Sequence, residues 1–168
     1  MLFRSIAARG GGIRDTMRHT RAASVATLQH DNTQRLDAHL ARGVTTVEVK
    51  SGYGLSVDEE LKQLQVIQAM REQRSQRLIS TCLAAHVLPP EYPDIPAYLT
   101  DLSARLLPQL KAQQLTRRID AFIEPSAFPV DLARPYLIEA QRHGFDLALH
   151  ADQFTRGGAL LAAELGAR

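Results

Sequence analysis

The sequence lacks several features that would indicate particular classes of protein. It has one cysteine among 168 residues, Cys82, so no internal disulfide can form. No apolar run approaches the roughly 18–20 residues needed to span a bilayer. The 20 basic and 18 acidic residues are interspersed, without a Lys/Arg block typical of nucleic-acid binding. These absences argue against a disulfide-rich secreted domain, a membrane protein and a nucleic-acid-binding protein, and they fit a reducing cytoplasm.

Familiar catalytic motifs are also missing. The sequence contains no HxH, HExxH or CxxC pattern and no GxSxG, so local motifs predict neither a complete metal site nor a serine hydrolase elbow. No GxGxxG follows the first predicted strand, which disfavours dinucleotide binding. Three glycines at 10–12 have no strand before them and no GK[ST] after them. We therefore predict a tight turn there and not a phosphate cradle.

The first two dozen residues allow two interpretations. They contain five arginines and a single acidic residue, Asp15, a composition that resembles a mitochondrial transit peptide. The alternative is that they belong to the folded protein, which the family resemblance described below favours. The single cysteine lies in the apolar run 78–87, and we predict that it is an inert core thiol.

The remaining sequence alternates between strand and helix patterns. With 45% hydrophobic and 23% charged residues, the composition is that of a globular protein. Ser56 and Glu59 have the spacing of a helix capping box, and Asp131 is predicted to cap a later helix. The predicted strands are 44–50, 78–86, 119–124 and 145–151, and the predicted helices are 57–73, 97–113, 131–143 and 157–165.

This spacing predicts an α/β fold built from parallel βα units. Two architectures use such units: a doubly wound sheet and a (β/α)₈, TIM-like barrel. A barrel needs about 250 residues, so this chain would supply about half of one. In that case we expect strand residues such as Val47, Leu83 and Phe122, or their neighbours, to face the barrel interior.

Functional side chains in both architectures lie where strands end and loops begin. The residues found there are Tyr53 between two glycines, His86 before a proline-rich loop, Glu124, and His150 in the HADQ segment. A polar residue after a strand can also simply cap the next helix. Four such residues on one edge of one sheet make a shared site the better interpretation.

The two strand-end histidines have several possible roles. His150 is either a zinc or iron ligand or a hydrogen-bonded core histidine. His86 could carry a proton, donate to an oxyanion or bind a metal. Asp152 and Gln153 follow His150 and could orient ligands or substrate. The other four histidines are predicted to be structural: His19, His30, His39 and His143.

Six segments of the chain resemble imidazolonepropionase in order and spacing. TTVEVKSGYGL and HADQ are the most specific of the matching sequences. The resemblance covers nearly the whole chain and makes the arginine-rich start an interior segment. The six segments are RGGGI (9–13), TRAAS (20–24), GVTTVEVKSGYGL (43–55), AAHVLPPEY (84–92), LHADQ (149–153) and GGALLAAELGA (157–167).

This resemblance implies an amidohydrolase-superfamily barrel with a small β-sandwich domain formed by the two chain ends. It implies hydrolysis of 4-imidazolone-5-propanoate to N-formimino-L-glutamate in histidine degradation, one zinc or iron ion, and a homodimer. His150 matches a metal ligand of the family. Tyr53, His86 and Gln153 match positions that contact the substrate, and His86 is the predicted catalytic oxyanion donor.

The departures from the family limit what the chain can do. Residues 1–168 match about strands two to five of the barrel, without the HxH pair, the metal-binding Asp, the carboxylate-binding arginine or the β-sandwich. We therefore expect the chain to be inactive alone. The alternative is a non-catalytic remnant, or a half-barrel that depends on a partner. Gln153 cannot be a general base, because an amide does not accept a proton near neutral pH.

Overall fold

The structure is a computed structural model that describes residues 12–167. Two helices precede the first strand, α1 (Ile13–Ala22) and α2 (Val25–Leu40). The hydroxyl of Ser24 caps α2 by accepting a hydrogen bond from the backbone N–H of Thr27 at 3.1 Å. Residues 1–11 of the arginine-rich start lie outside the described part of the chain, and with them two of the three glycines predicted to form a tight turn.

Four strands then alternate with helices and form one parallel sheet in the order β1-β2-β3-β4. This confirms the predicted α/β fold with βα units, and it is consistent with part of a TIM-like barrel. The helix after β2 has a π-helical stretch, Leu102–Leu106, at its centre. The strands are β1 (Thr46–Lys50), β2 (Arg77–Ala85), β3 (Arg118–Ile123) and β4 (Asp146–Ala151), and the helices are α3 (Val57–Glu72), α4 (Ile95–Asp101), α5 (Leu107–Ala112), α6 (Val130–Arg142) and α7 (Gly158–Leu165).

Local sequence explains most of the helix boundaries. Ser56 caps α3 by accepting from the N–H of Glu59 at 3.4 Å, and Asp94 caps α4 by accepting from Ala97 at 2.8 Å. The prediction that Asp131 caps α6 is wrong. Pro129 holds the N-cap position, and Asp131 lies in the first turn, where its charge favours the positive end of the helix dipole.

The sheet has two unlike faces because side chains alternate along each strand. One face packs against the helices and forms the core, in which Cys82 is fully buried. This confirms the core position predicted for Cys82, and burial also raises the pKa of its thiol. The core residues on this face include Leu78, Cys82, Ala84, Ile119, Ala121, Ile123 and Leu147.

The opposite face, here called the open face, carries mainly polar and charged side chains. Of Val47 and its neighbours, one of which was expected on this face, it is Glu48 that lies there and not Val47 itself. Val47 packs against the helical core, because Glu48 and Lys50 occupy the open side of the pleat. Phe122 does lie on the open face, where its ring contacts two histidines. Among residues 12–167, no helix combines the length and apolarity needed to cross a bilayer.

Candidate active site

His86 reaches the open face through an irregularity in β2. Cys82 pairs with Ile119 and Ala85 pairs with Ala121, so one additional residue is inserted on β2 between these pairs. Cys82 and Ala85 both belong to the helix-side core. Strict alternation from Cys82 would direct His86 toward the helices, whereas the bulge directs it to the open face.

Side chains from neighbouring elements satisfy the backbone groups around this bulge. The N–H of Leu83 donates to the Ser51 hydroxyl at 2.8 Å, in place of a backbone partner. The Tyr98 hydroxyl donates to the carbonyl of Ala84 at 2.9 Å, and the N–H of His86 turns back to that carbonyl at 3.0 Å. The bulge is therefore a stabilised feature that fixes the position of His86.

Tyr53 lies in the loop between β1 and α3, with a backbone φ of 58°. Leu55 also has a positive φ, 55°, and such conformations are strained for residues with a Cβ. At Gly54 a Cβ would approach backbone atoms of the first turn of α3 within 2.8 Å, so only glycine fits. This loop, residues 51–55, places the Tyr53 ring 5.9 Å from the His86 ring.

His150 ends β4 and is hydrogen-bonded to Gln153. The distance between His150 Nε2 and Gln153 Oε1 is 2.6 Å. A carbonyl oxygen can only accept, so in this contact Nε2 of His150 is the donor. Binding of a metal at Nε2 would require the Gln153 contact to break.

Three of the predicted site residues, Tyr53, His86 and His150, meet at the carboxyl ends of the strands. The His86 and His150 rings are 5.5 Å apart, and Phe122 lies against both, at 5.2 and 4.5 Å. Burial, the neighbouring His150 and Lys50 together lower the pKa of His86 to about 4. Burial raises the pKa of the Tyr53 phenol, which Lys50 opposes. At neutral pH the site therefore presents a neutral imidazole and a protonated phenol.

A charged layer lies beneath this cluster on the open face. Lys50 Nζ is 2.5 Å from Asp120 Oδ2, and Asp120 is only 2% exposed. In the strand pairing, Asp120 stands two residues before Phe122, which is opposite His150. Glu48 accepts from the Thr81 hydroxyl at 2.6 Å. The floor of the site is thus an ion pair, which sequence patterning did not predict.

Glu124 does not join the histidines. Its carboxylate accepts from the backbone N–H of Phe154 at 2.8 Å and from the Thr155 hydroxyl at 2.6 Å. These bonds lower the pKa of the Glu124 carboxyl, with Thr155 the larger contributor. The Asp152 carboxylate accepts from the N–H of Ala159, at the start of α7, at 3.1 Å. Both residues organise the loop after β4, and Asp152 also binds the first turn of α7.

The described residues do not form a metal site by themselves. Within 12–167, no three His, Cys, Asp or Glu side chains are grouped so that they could hold an ion. His150 is the single family metal ligand that the resemblance assigns to this chain. A cavity of about 900 Å³ opens at the other end of the strands, between Arg77, Arg117 and Asp146.

The parallel βα order, with imidazole and phenol groups at the carboxyl ends of the strands, is consistent with part of a TIM-like α/β barrel. No family model matches the chain. It is 48% identical over 167 residues to the imidazolonepropionase of Erwinia tasmaniensis and 45% identical over 166 residues to that of Bdellovibrio bacteriovorus. The imidazolonepropionase of Symbiobacterium thermophilum is 47% identical over 168 residues.

These matches cover 98% of this chain and 41%, 38% and 40% of the respective relatives. The chain therefore spans about two fifths of the length of the curated relatives it matches. The resemblance drawn from its motifs is confirmed: along almost its whole length, this is imidazolonepropionase-like sequence.

Proposed function

We propose that this chain is the portion of an imidazolonepropionase that supplies the substrate-contacting imidazole and phenol. The reaction is hydrolysis of 4-imidazolone-5-propanoate to N-formimino-L-glutamate. One observation carries the proposal. Tyr53, His86 and His150 converge at the carboxyl ends of the strands in a chain that matches imidazolonepropionases over 98% of its length.

In this proposal His86 is the catalytic donor. Its lowered pKa keeps the ring neutral, so an N–H can donate to the oxygen that gains negative charge when water attacks the ring carbonyl. This favours attack at the carbonyl over attack at the carbon of the formimino group. Tyr53 holds the substrate through a hydrogen bond donated by its phenol, and the Gln153 amide binds substrate without acting as a base.

We extend the proposal to His150 as one ligand of a single zinc or iron ion. The remaining ligands would come from outside residues 12–167, as the family resemblance implies. Such an ion lowers the pKa of a bound water to about 7 and so supplies hydroxide at neutral pH. The homodimer that the resemblance implies stays a prediction.

A chimera tests the function. Residues 12–167 would replace the matching segment of the Erwinia tasmaniensis imidazolonepropionase, and hydrolysis of 4-imidazolone-5-propanoate would be followed. We expect turnover by the chimera and none by the isolated chain. His86→Ala in the chimera should reduce kcat by roughly 10²–10³, the loss typical of one oxyanion donor. His143→Ala, at the C-cap of α6, is the matched control and should leave kcat unchanged.

The competing hypothesis makes the opposite prediction. A non-catalytic remnant would give a folded chimera without turnover. A partner-dependent half-barrel would show turnover only when that partner is added. A folded, metal-loaded chimera without hydrolysis would therefore reject the proposed function.

A further inference from the structure

Three side chains, those of Arg21, Glu60 and Gln63, hydrogen-bond to the backbone of the Tyr53 loop. From inside, the carboxylate of Glu60 on α3 accepts from the N–H of Leu55 at 2.7 Å. Gln63, one turn further along α3, accepts from the N–H of Gly52 at 2.6 Å. These two bonds fix the loop on both sides of Tyr53.

Arg21 holds the same loop from outside. It reaches from α1, more than thirty residues earlier in the chain, and its Nε donates to the carbonyl of Gly54 at 2.7 Å. Its Nη2 donates to the carbonyl of Leu55 at 3.3 Å. The remaining Nη1 pairs with Glu91, so the guanidinium is oriented as well as bound. Arg21 therefore binds the two carbonyls that directly follow Tyr53.

The contacts around Glu60 also reach the bulge that carries His86. Ser51, at the start of the loop, accepts the N–H of Leu83 within the bulge. Ser51 also lies beside Glu60 and counteracts the rise that burial produces in the pKa of the Glu60 carboxyl. Glu60 is fully buried and has no role in the proposed chemistry. Its contacts connect the Tyr53 loop with the β2 bulge that positions His86.

We infer that Arg21 and Glu60 are positioning residues, which hold the strained 51–55 loop so that the Tyr53 phenol stays packed beside His86. Two non-glycine residues in the left-handed region, Tyr53 and Leu55, persist only when the surroundings over-determine their conformation. The hydrogen bonds from Arg21, Glu60 and Gln63 supply that restraint. The inference rests on the proposed function for its catalytic meaning, while its geometry is independent of turnover.

Ionisation of Tyr53 is a suitable readout. Of the four tyrosines, Tyr92 has its pKa raised to about 12, and burial raises those of Tyr98 and Tyr136 well above 10. Tyr53 should therefore be the first tyrosine to ionise in an absorbance titration of the native chain, and Tyr53→Phe should remove that step.

Arg21→Ala is the primary variant, because the Arg21 side chain is partly exposed and its removal leaves no cavity in the core. We expect the first ionisation step to move down toward the pH of a free tyrosine, as the released loop hydrates the phenol. Arg18→Ala is the matched control. It lies one turn earlier on α1, pairs only with Asp15 in the described structure, and should not move the step. Far-ultraviolet circular dichroism would verify that both variants are folded.

Arg21→Lys keeps the test valid if the alanine variant fails to fold. A lysine retains the charge but cannot bind both carbonyls at once, so we expect a smaller downward shift. Glu60→Gln keeps the oxygen that accepts from Leu55, so its first tyrosine ionisation step should lie at the same pH as in the parent chain.

A residue that only stabilises α1 would lower the melting temperature and leave the Tyr53 step in place. That result with a folded Arg21→Ala variant, or an equal shift in Arg18→Ala, would overturn the inference. Failure of the chimera to hydrolyse substrate would instead reject the function and leave the positioning result standing.

Discussion

The helix-facing side of the sheet carries almost only apolar side chains, whereas the open face carries ion pairs below a band of aromatic and imidazole rings. On the helix side, Ile119 and Ala121 are fully buried. One residue away on the same strand, Asp120 forms an ion pair with Lys50. The same strands therefore build an apolar core on one side and a polar surface that carries the candidate site on the other.

The helix side of the sheet contributes most of the stability, whereas the open face carries the polar groups of the candidate site. Burial of apolar area on the helix side stabilises the fold, at about 25 cal/mol per Å². The polar groups on the open face contribute little net stability, because pairing mainly offsets the cost of removing their charges from water. Substitutions on the two faces should therefore have different effects.

The largest expected effect is on the helix side. Ile119→Ala removes a fully buried side chain from the core and should lower the free energy of unfolding by roughly 2–5 kcal/mol. Ile79→Ala is the matched control. It makes the same change on the adjacent strand but on the open face, and should cost about 1 kcal/mol or less. Urea unfolding followed by circular dichroism measures both values. Equal losses would show that the open face also acts as a packed core.

Much of this architecture was readable from the sequence. Each βα unit was predicted within two residues at its strand boundaries, since β-branched runs and capping residues mark these boundaries locally. Tyr53, His86 and His150 were found because parallel strands present their carboxyl ends at one edge. Resemblance to a family added their roles, which no local pattern contains.

Other parts of the site could not be read from the sequence. The bulge in β2 has no glycine or proline to mark it, since residues 82–86 read CLAAH. The sequence did not decide between Val47 and its neighbour Glu48 for the open face, because an apolar residue fits either a barrel lumen or a helix-packed layer. The Lys50–Asp120 pair joins residues 70 positions apart, and only tertiary structure brings them together. The restraint of the Tyr53 loop by Arg21 is likewise a long-range contact.

The second prediction concerns the ion pair between Lys50 and Asp120. Lys50→Met leaves the buried Asp120 carboxylate without its partner and should lower the free energy of unfolding by about 1–2 kcal/mol, less than a fully buried pair because Lys50 is partly exposed. Adding Asp120→Asn should recover part of this loss, because the unpaired charge is removed. A double-mutant cycle in urea measures the coupling. Lys111→Met, at an exposed position on α5, is the control. Strictly additive single-variant effects would show that the two charges are independent.

The smallest expected effect is a pH dependence from Glu48. Burial raises the pKa of this carboxyl, but hydrogen bonding to Thr81 and the charges of Lys50 and Arg118 outweigh that effect, so its pKa lies below the ordinary value of 4.5. A carboxyl with a lowered pKa in the folded state contributes stability above its unfolded value, and this is lost as the pH falls through the folded value. Because Glu48 is partly exposed, the contribution should be only about 0.2–1 kcal/mol.

The free energy of unfolding, measured from neutral to acid pH, should therefore fall less steeply in Glu48→Gln than in the parent chain below about pH 4.5, the ordinary carboxyl range. Above that range the two stability curves should run parallel. Parallel curves throughout would mean that the charged layer of the open face does not stabilise the ionised carboxyl, and the contrast between the two faces would then be one of packing alone.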